Sequence, residues 1–321
     1  MPMPSHMSGP MWVPMQPPDF ARLLAWHPQP VPVLPILCLL GGLLYGWGVW
    51  HLRRAGHHWS PGRTVSWYAG LVLIVLVTAT GTGGYSMVLF SVHMVQHMVL
   101  SMLVPIPLLM GAPITLALRA LPSGPGRRGR ARRTLLRVLH SRVMAVLSNP
   151  LIALPLFLAS LYALYFSPLF DDLMGSFVGH TFMLVHFVAV GLLLFWPLLA
   201  IDPSPHHHSP FTRIVEMFIT APFHSFFGIA MMTSNAVIVA FFAHPPAMWH
   251  VNALHDEQLG GSIAWGFSEV PTLLVVLAIV TLWGRSSERE AKRRDRAADR
   301  GVDAELEAYN AWLARLGGQH P

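Results

Sequence analysis

"MVLFSVHMVQHMVLSMLVPIPLLM" (residues 87–110) runs for 24 positions without an Asp, Glu, Lys or Arg. At about 1.5 Å per residue it is long enough to cross the ~30 Å hydrocarbon layer of a bilayer. Lipid offers the backbone no partner, so a spanning run without strand alternation must be helical. This run nevertheless carries His93 and His97, four residues apart and therefore on one helix face. Met94 and Met98 repeat the spacing on the adjacent face.

Six further apolar runs flank it, at approximately 31–50, 65–82, 149–166, 177–200, 212–242 and 259–284. The expected fold is an all-α membrane protein, a bundle of seven transmembrane helices over 31–284. The composition agrees: 53% of residues are hydrophobic and 11% charged, against about a quarter charged in soluble domains. The single cysteine, Cys38, excludes a disulfide framework and a zinc finger. Residues 1–30 read as a Met/His/Pro-rich extracytoplasmic tail and not a signal peptide, because no Lys or Arg opens them and no cleavage-like site follows. Residues 285–321 read as a charged cytoplasmic tail, partly amphipathic, opening on a capping box from Ser287 to Glu290.

Orientation follows from basic residues, which favour the cytoplasmic side. With the N-terminus outside, the loops after helices 1, 3 and 5 and the C-terminal tail lie inside. These hold 20 of the 21 Lys and Arg residues, leaving only Arg22 outside. The loop "GRRGRARR" (126–133) then anchors against anionic lipid, and no nucleic-acid partner is needed to explain the basic charge. The protein is expected in a bacterial plasma membrane, crossing it several times. Arginine is used almost to the exclusion of lysine, Lys292 alone excepted, which points to a GC-rich actinobacterial source.

Ionisable residues at membrane depth are expensive and mark function by default. Here they are His93, His97, His180, His186, Glu216, His224 and Glu269, with His255 and Asp256 at the outer mouth of helix 7. In the expected orientation the histidines cluster by depth in the outer half. His180 and His186 stand roughly 120° apart around their helix, so one of them should face helix 3; we take His186. Pro222, two residues before His224, should kink helix 6. Imidazole suits copper, zinc, iron or nickel, and thioether sulfur favours Cu(I). Met3, His6, Met7, Met11 and Met15 offer soft ligands along the outer tail. "PHHHSP" (205–210), on the inner side, reads as a polar turn. Helix–helix hydrogen bonding is the plainer role for any one of the buried histidines. Glu216 reads as a partner of Arg213 near the inner boundary. Glu269, in mid-helix, is either protonated or a hydrogen-bond partner of a histidine ring.

Four stretches together carry a resemblance: "FSVHMVQHMVLSMLVPIPLLMGAP" (90–113), "LFWPLLAIDP" (194–203), "PFHSFFGIAMM" (222–232) and "HDEQLGGSIAWGFSEVP" (255–271). In this order they resemble the CtaG family of cytochrome c oxidase assembly proteins, the multi-helix type of Gram-positive bacteria. The resemblance implies a seven-helix protein that helps haem–copper oxidases mature through their copper centre. The family's histidine pair falls on His93 and His97. Its outer motif, usually Asp-Gln-Gln, falls on Asp256, Glu257 and Gln258, and this chain departs from it at Glu257.

The expectation is then a non-enzymatic factor whose partners are an oxidase subunit, a copper ion and the lipid bilayer. Copper would arrive from outside by way of Met3, Met7, Met11 and Met15 and pass His255. It would rest on His93, His97 and His186, with His224 as a fourth ligand, and leave to the oxidase. The alternatives are a b-type cytochrome with haem between His93 or His97 and His186, and a membrane hydrolase using histidine-bound zinc with Asp256 as its base. A copper permease would need ligands continuing inward, where polar residues thin out.

Overall fold

A computed structural model describes residues 8–124, 126, 129–204 and 209–317. Met3, His6, Met7 and the 206–208 histidines lie outside them. Among the described residues there are helices and turns and no strand beyond two isolated bridges, Ser8 with Ser176 and Trp26 with Thr80. Six helices are long and apolar enough to cross a membrane. We label the principal helices α1 (Val33–Arg54), α2 (Pro61–Thr78), α3 (Phe90–Met98), α4 (Pro150–Tyr165), α5 (Phe177–Leu199), α6 (Pro210–Met232) and α7 (Ala253–Gly317). α3 opens a 31-residue apolar span, Phe90–Ala120; at 16 residues α4 stays below the span length that the other runs reach. The chain divides into two compact units, Met1–Val276 and Leu277–Pro321.

Burial ranks the spans. The apolar window that begins with α3 is 67% buried and that of α5 61%, whereas those of α1, α2, α6 and α7 lie between 28% and 35%. Thus α3 and α5 form the middle of the first unit and the others turn a large face outward. The histidine-bearing run is the best buried of all, and that placement is what makes its polar groups informative.

α3 is not a uniform helix. After Met98 it widens into a π turn, Val99–Leu103, and resumes as Pro105–Met110. Pro105 has no N–H and its ring would strike the carbonyl four residues back, so the wider turn relieves the conflict. Ser101 uses its hydroxyl to bond the His97 carbonyl at 2.8 Å. On the facing helix, Gly191 leaves its Cα bare where the Ser101 carbonyl comes close: a Cβ there would stand 2.1 Å from that oxygen. Small residues of this kind let membrane helices pack backbone to backbone.

Carboxylates at the helix ends tie the motifs together. Asp256 accepts from Phe90 N at 2.7 Å, Ser91 N at 3.3 Å and the Ser91 hydroxyl, so α7 caps the start of α3. Asp202 does the same for the Pro113–Ala120 helix, accepting from Ile114 N at 3.0 Å and Thr115 N at 2.8 Å. The chain enters that helix through Ala112 at φ 51° and reaches Asp202 after Ala200 at φ 46°, two left-handed residues that set the approach. A carboxylate at a helix N-terminus satisfies orphan N–H groups and complements the helix dipole.

The expected sixth span, 212–242, is too long. α6 stops at Met232, and 233–252 folds back as irregular chain with 3-10 turns at Ala240–Phe242 and Ala247–Trp249. Polar side chains end the helix. Ser234 bonds the backbone at Ala236, Gln258 donates to the Ser234 carbonyl at 2.9 Å, and Glu257 accepts from Ile238 N and Val239 N at 2.8 and 3.0 Å. Such bonds offer the backbone an alternative to helix. The Glu257 position, where the motif departs from its usual glutamine, therefore has a definite task here. Asp171 holds the same segment by accepting from Phe241 N at 3.1 Å.

The described part of the N-terminal tail is folded: Met11 is buried, Gln29 bonds both backbone groups of Trp12, and Tyr85 donates to the Gln16 carbonyl. Apolar side chains between the prolines give this stretch something to bury, which composition alone did not weigh. Ser287 lies inside α7 and caps nothing, because the helix continues without a break to Gly317; within the second unit Glu290 pairs with Arg294.

Replacing Asp256 by Asn should lower thermal stability. An amide has one acceptor oxygen where the carboxylate uses two, so either the Phe90 and Ser91 N–H groups or the Ser91 hydroxyl lose their acceptor and meet an NH2 group. Leaving buried donors unpaired costs about 1–3 kcal/mol. A melting curve of the detergent-purified protein would show it as a lower midpoint, and an unchanged midpoint would deny the cap its role.

Candidate functional site

α3 presents His93 and His97 to the interior, and both are almost wholly buried. The Nε2 atom of His93 meets the Tyr165 hydroxyl at 2.8 Å, while its Nδ1 points towards the Ser86 backbone without making a hydrogen bond. His97 Nδ1 has no hydrogen-bond partner either. From α6, His224 is fully buried, with Nε2 3.1 Å from the Met98 sulfur and Nδ1 unpartnered. From α5, His180 is buried and its Nε2 is unpartnered. The ionisable neighbours whose charge would reach His97 are His224, His93 and His186; for His93 the neighbour is His180. Imidazoles from α3, α5 and α6 thus gather in one region of the interior.

The wall of that region is aromatic. Around His93 stand Phe170, Phe242, Tyr165 and Phe187, with ring centroids at 5.0, 5.7, 5.8 and 6.1 Å. Phe187 meets His97 edge-on at 4.2 Å. Phe242 comes from the segment expected to be helix, so the fold-back serves as a plug beside His93.

Other expected members are placed differently. His186 is half-buried and bonds the Ser160 hydroxyl at 2.9 Å on α4, while His180 is the α5 histidine beside His93. His255 is exposed at the start of α7, outside the buried cluster. Asp256 is committed to the α3 cap and is not a base beside the imidazoles. Glu269 is exposed, so it is not the buried partner of a histidine ring. Among the described residues, no three His, Cys, Asp or Glu side chains close on one point tightly enough to hold a metal ion. The cluster is therefore a set of neighbouring imidazoles and one thioether, with ring nitrogens left over. Buried polar atoms without partners are rare and costly, about 1–3 kcal/mol each, and several together call for a function.

A family model described as cytochrome c oxidase caa3 assembly factor matches residues 43–286, from α1 into α7. The chain belongs to that family. It is a multi-pass protein of the bacterial plasma membrane. Among curated proteins it is 42% identical over 306 residues to uncharacterised proteins of Mycobacterium bovis and Mycobacterium tuberculosis. A third uncharacterised protein, from Mycobacterium leprae, is 40% identical over 305 residues. Each alignment takes in 94% of this chain and 46% of the relative, so the chain spans about half the length of the curated relatives it matches. No solved structure matches it significantly.

Some members of the site carry little signal in sequence. Tyr165 sits in "LYALY" (161–165), where nothing separates it from ordinary apolar packing. Met98 stands out in sequence only by its spacing from Met94, and no pattern ties it to His224. The π turn beside both leaves a trace, since Pro105 stands within an otherwise unbroken helical run and such turns recur at functional sites.

Proposed function

We propose that this assembly factor receives copper from the extracytoplasmic side, holds it among the buried imidazoles, and passes it to an oxidase subunit in the membrane. The chain then crosses the bilayer seven times with its N-terminus outside, α4 making the seventh crossing, and catalyses no reaction of its own. Copper is the cargo and not a resident cofactor. The ligand candidates are His93, His97 and His224, which must draw closer together than they stand here to grip one ion, with His186 and His180 as the α5 contributors and His255 at the entrance.

The observation that carries this reading is the group of buried ring nitrogens on His97, His180 and His224 that no protein group satisfies. A neutral imidazole with a free lone pair is a metal ligand by default. The buried carboxylates Asp256 and Glu257 are occupied in caps and are not offered to a hard cation. A carrier must load and release its ion, which an open set of ligands allows better than a closed tetrahedral site. The aromatic shell keeps water from the ion once it is inside.

The test is maturation. A strain lacking the gene should assemble an oxidase that contains haem and is short of copper, and the full-length chain should restore it. Copper added to the medium in excess should restore part of the activity without the chain, since it bypasses delivery. Oxidase that is fully copper-loaded in the deletion strain would contradict the proposal.

A further inference from the structure

The contact between His224 and Met98 deepens that reading, on which it rests. Both residues are fully buried, and both sit where their helices are irregular: Met98 at the α-to-π junction of α3, His224 two residues after Pro222 inside α6. The imidazole Nε2 and the thioether sulfur are 3.1 Å apart. Metal–ligand bonds of about 2.0 Å to imidazole nitrogen and 2.3 Å to sulfur, at tetrahedral or trigonal angles, put their ligand atoms about 3.5–3.7 Å apart. The pair therefore needs to open by only about half an ångström to hold one ion between its two ligand atoms. His97 precedes Met98 in sequence and is within reach of the charge on His224. Phe157 lies over the His224 ring at 5.8 Å and closes the apolar surroundings.

We infer that Met98, His224 and His97 form a subsite for a soft monovalent cation, so that the carried species is Cu(I). A neutral thioether with neutral imidazoles brings no negative charge, which suits a singly charged ion in an apolar interior better than a doubly charged one. Zinc, which takes thiolate, imidazole or carboxylate, gains nothing from a thioether. The hydrogen bond that Nε2 makes to sulfur with no metal present holds the ring in place; when the ion enters, the ring proton moves to the unpartnered Nδ1 and the Nε2 lone pair turns on the ion.

The experiment titrates the detergent-purified full-length protein with Cu(I) without oxygen, against a coloured Cu(I) chelator, and with Zn(II) in parallel. X-ray absorption of the copper-loaded wild type should show one sulfur beside the imidazole nitrogens. Met98→Leu should remove that sulfur and weaken Cu(I) binding by about tenfold or more, while Zn(II) binding does not change. Met217→Leu, a buried methionine seven residues before His224 and about 10 Å along α6, should behave as wild type. Copper bound only through nitrogen, with Met98→Leu unaffected, would overturn the subsite and leave the imidazole reading standing. No copper on the wild type at all would overturn both. The sulfur signal of the wild type decides the matter even if a variant does not fold.

Discussion

Cells whose only copy of the chain carries His97→Gln are expected to lose most of the oxidase activity that the wild type restores. His97 is the hub of the cluster: it stands next to Met98, one turn below His93, and within reach of His224 and His186. Glutamine fills similar space and stays neutral, so the bundle should still form. It offers an amide where the ion needs an imidazole lone pair, and amide nitrogen is not a ligand at neutral pH. Changes even to the partners of metal-bound groups cost about 10–100-fold in affinity, so removing the ligand itself should cost at least about tenfold in delivered copper. The measurement is oxidase activity per haem, with the amount of the chain in membranes followed beside it. Normal activity at normal abundance would remove His97 from the pathway.

The second large effect is on folding. Gly191→Val should prevent a stable bundle. A Cβ at 191 would meet the Ser101 carbonyl oxygen at 2.1 Å and the Pro105 ring at 2.6 Å. Neither can yield cheaply, because Ser101 is backbone in the π turn and Pro105 is the residue that imposes it. Overpacking a core costs about 1–3 kcal/mol when side chains can shift, and a backbone clash exceeds that. Expression should give aggregated or degraded protein, read as loss of the monodisperse peak in gel filtration. Gly266→Ala, where an added Cβ meets nothing within 4 Å, should purify like wild type. A well-folded Gly191→Val protein would mean that α5 does not approach the π turn as closely as described.

Most of the architecture was legible because lipid makes burial readable. Long uncharged runs must be helices, and six qualify as spans directly. The His93/His97 pair was legible from its spacing. What escaped shows where such patterns stop. "AVIVAFFA" (236–243) is as apolar as a helix and was read as the end of one; it is a plug, held by Glu257 and Asp171. Apolarity says that a segment is buried, and nothing in it says against what. The choice between His180 and His186 needed a rotation angle that counting residues gives only roughly. The capping roles of Asp202 and Asp256 join residues 87 and 165 positions apart, distances over which no local pattern extends. The motifs that carried the family resemblance are largely these caps and the imidazole pair.

The central claim is that the buried imidazoles take hold of copper. Metal analysis of the full-length protein, purified in detergent after anaerobic loading with Cu(I) and gel filtration, tests it most directly. The account predicts about one copper per wild-type chain, and little or none on a variant with His93, His97 and His224 all replaced by Gln. Equal copper on the two proteins, or none on the wild type, would contradict it.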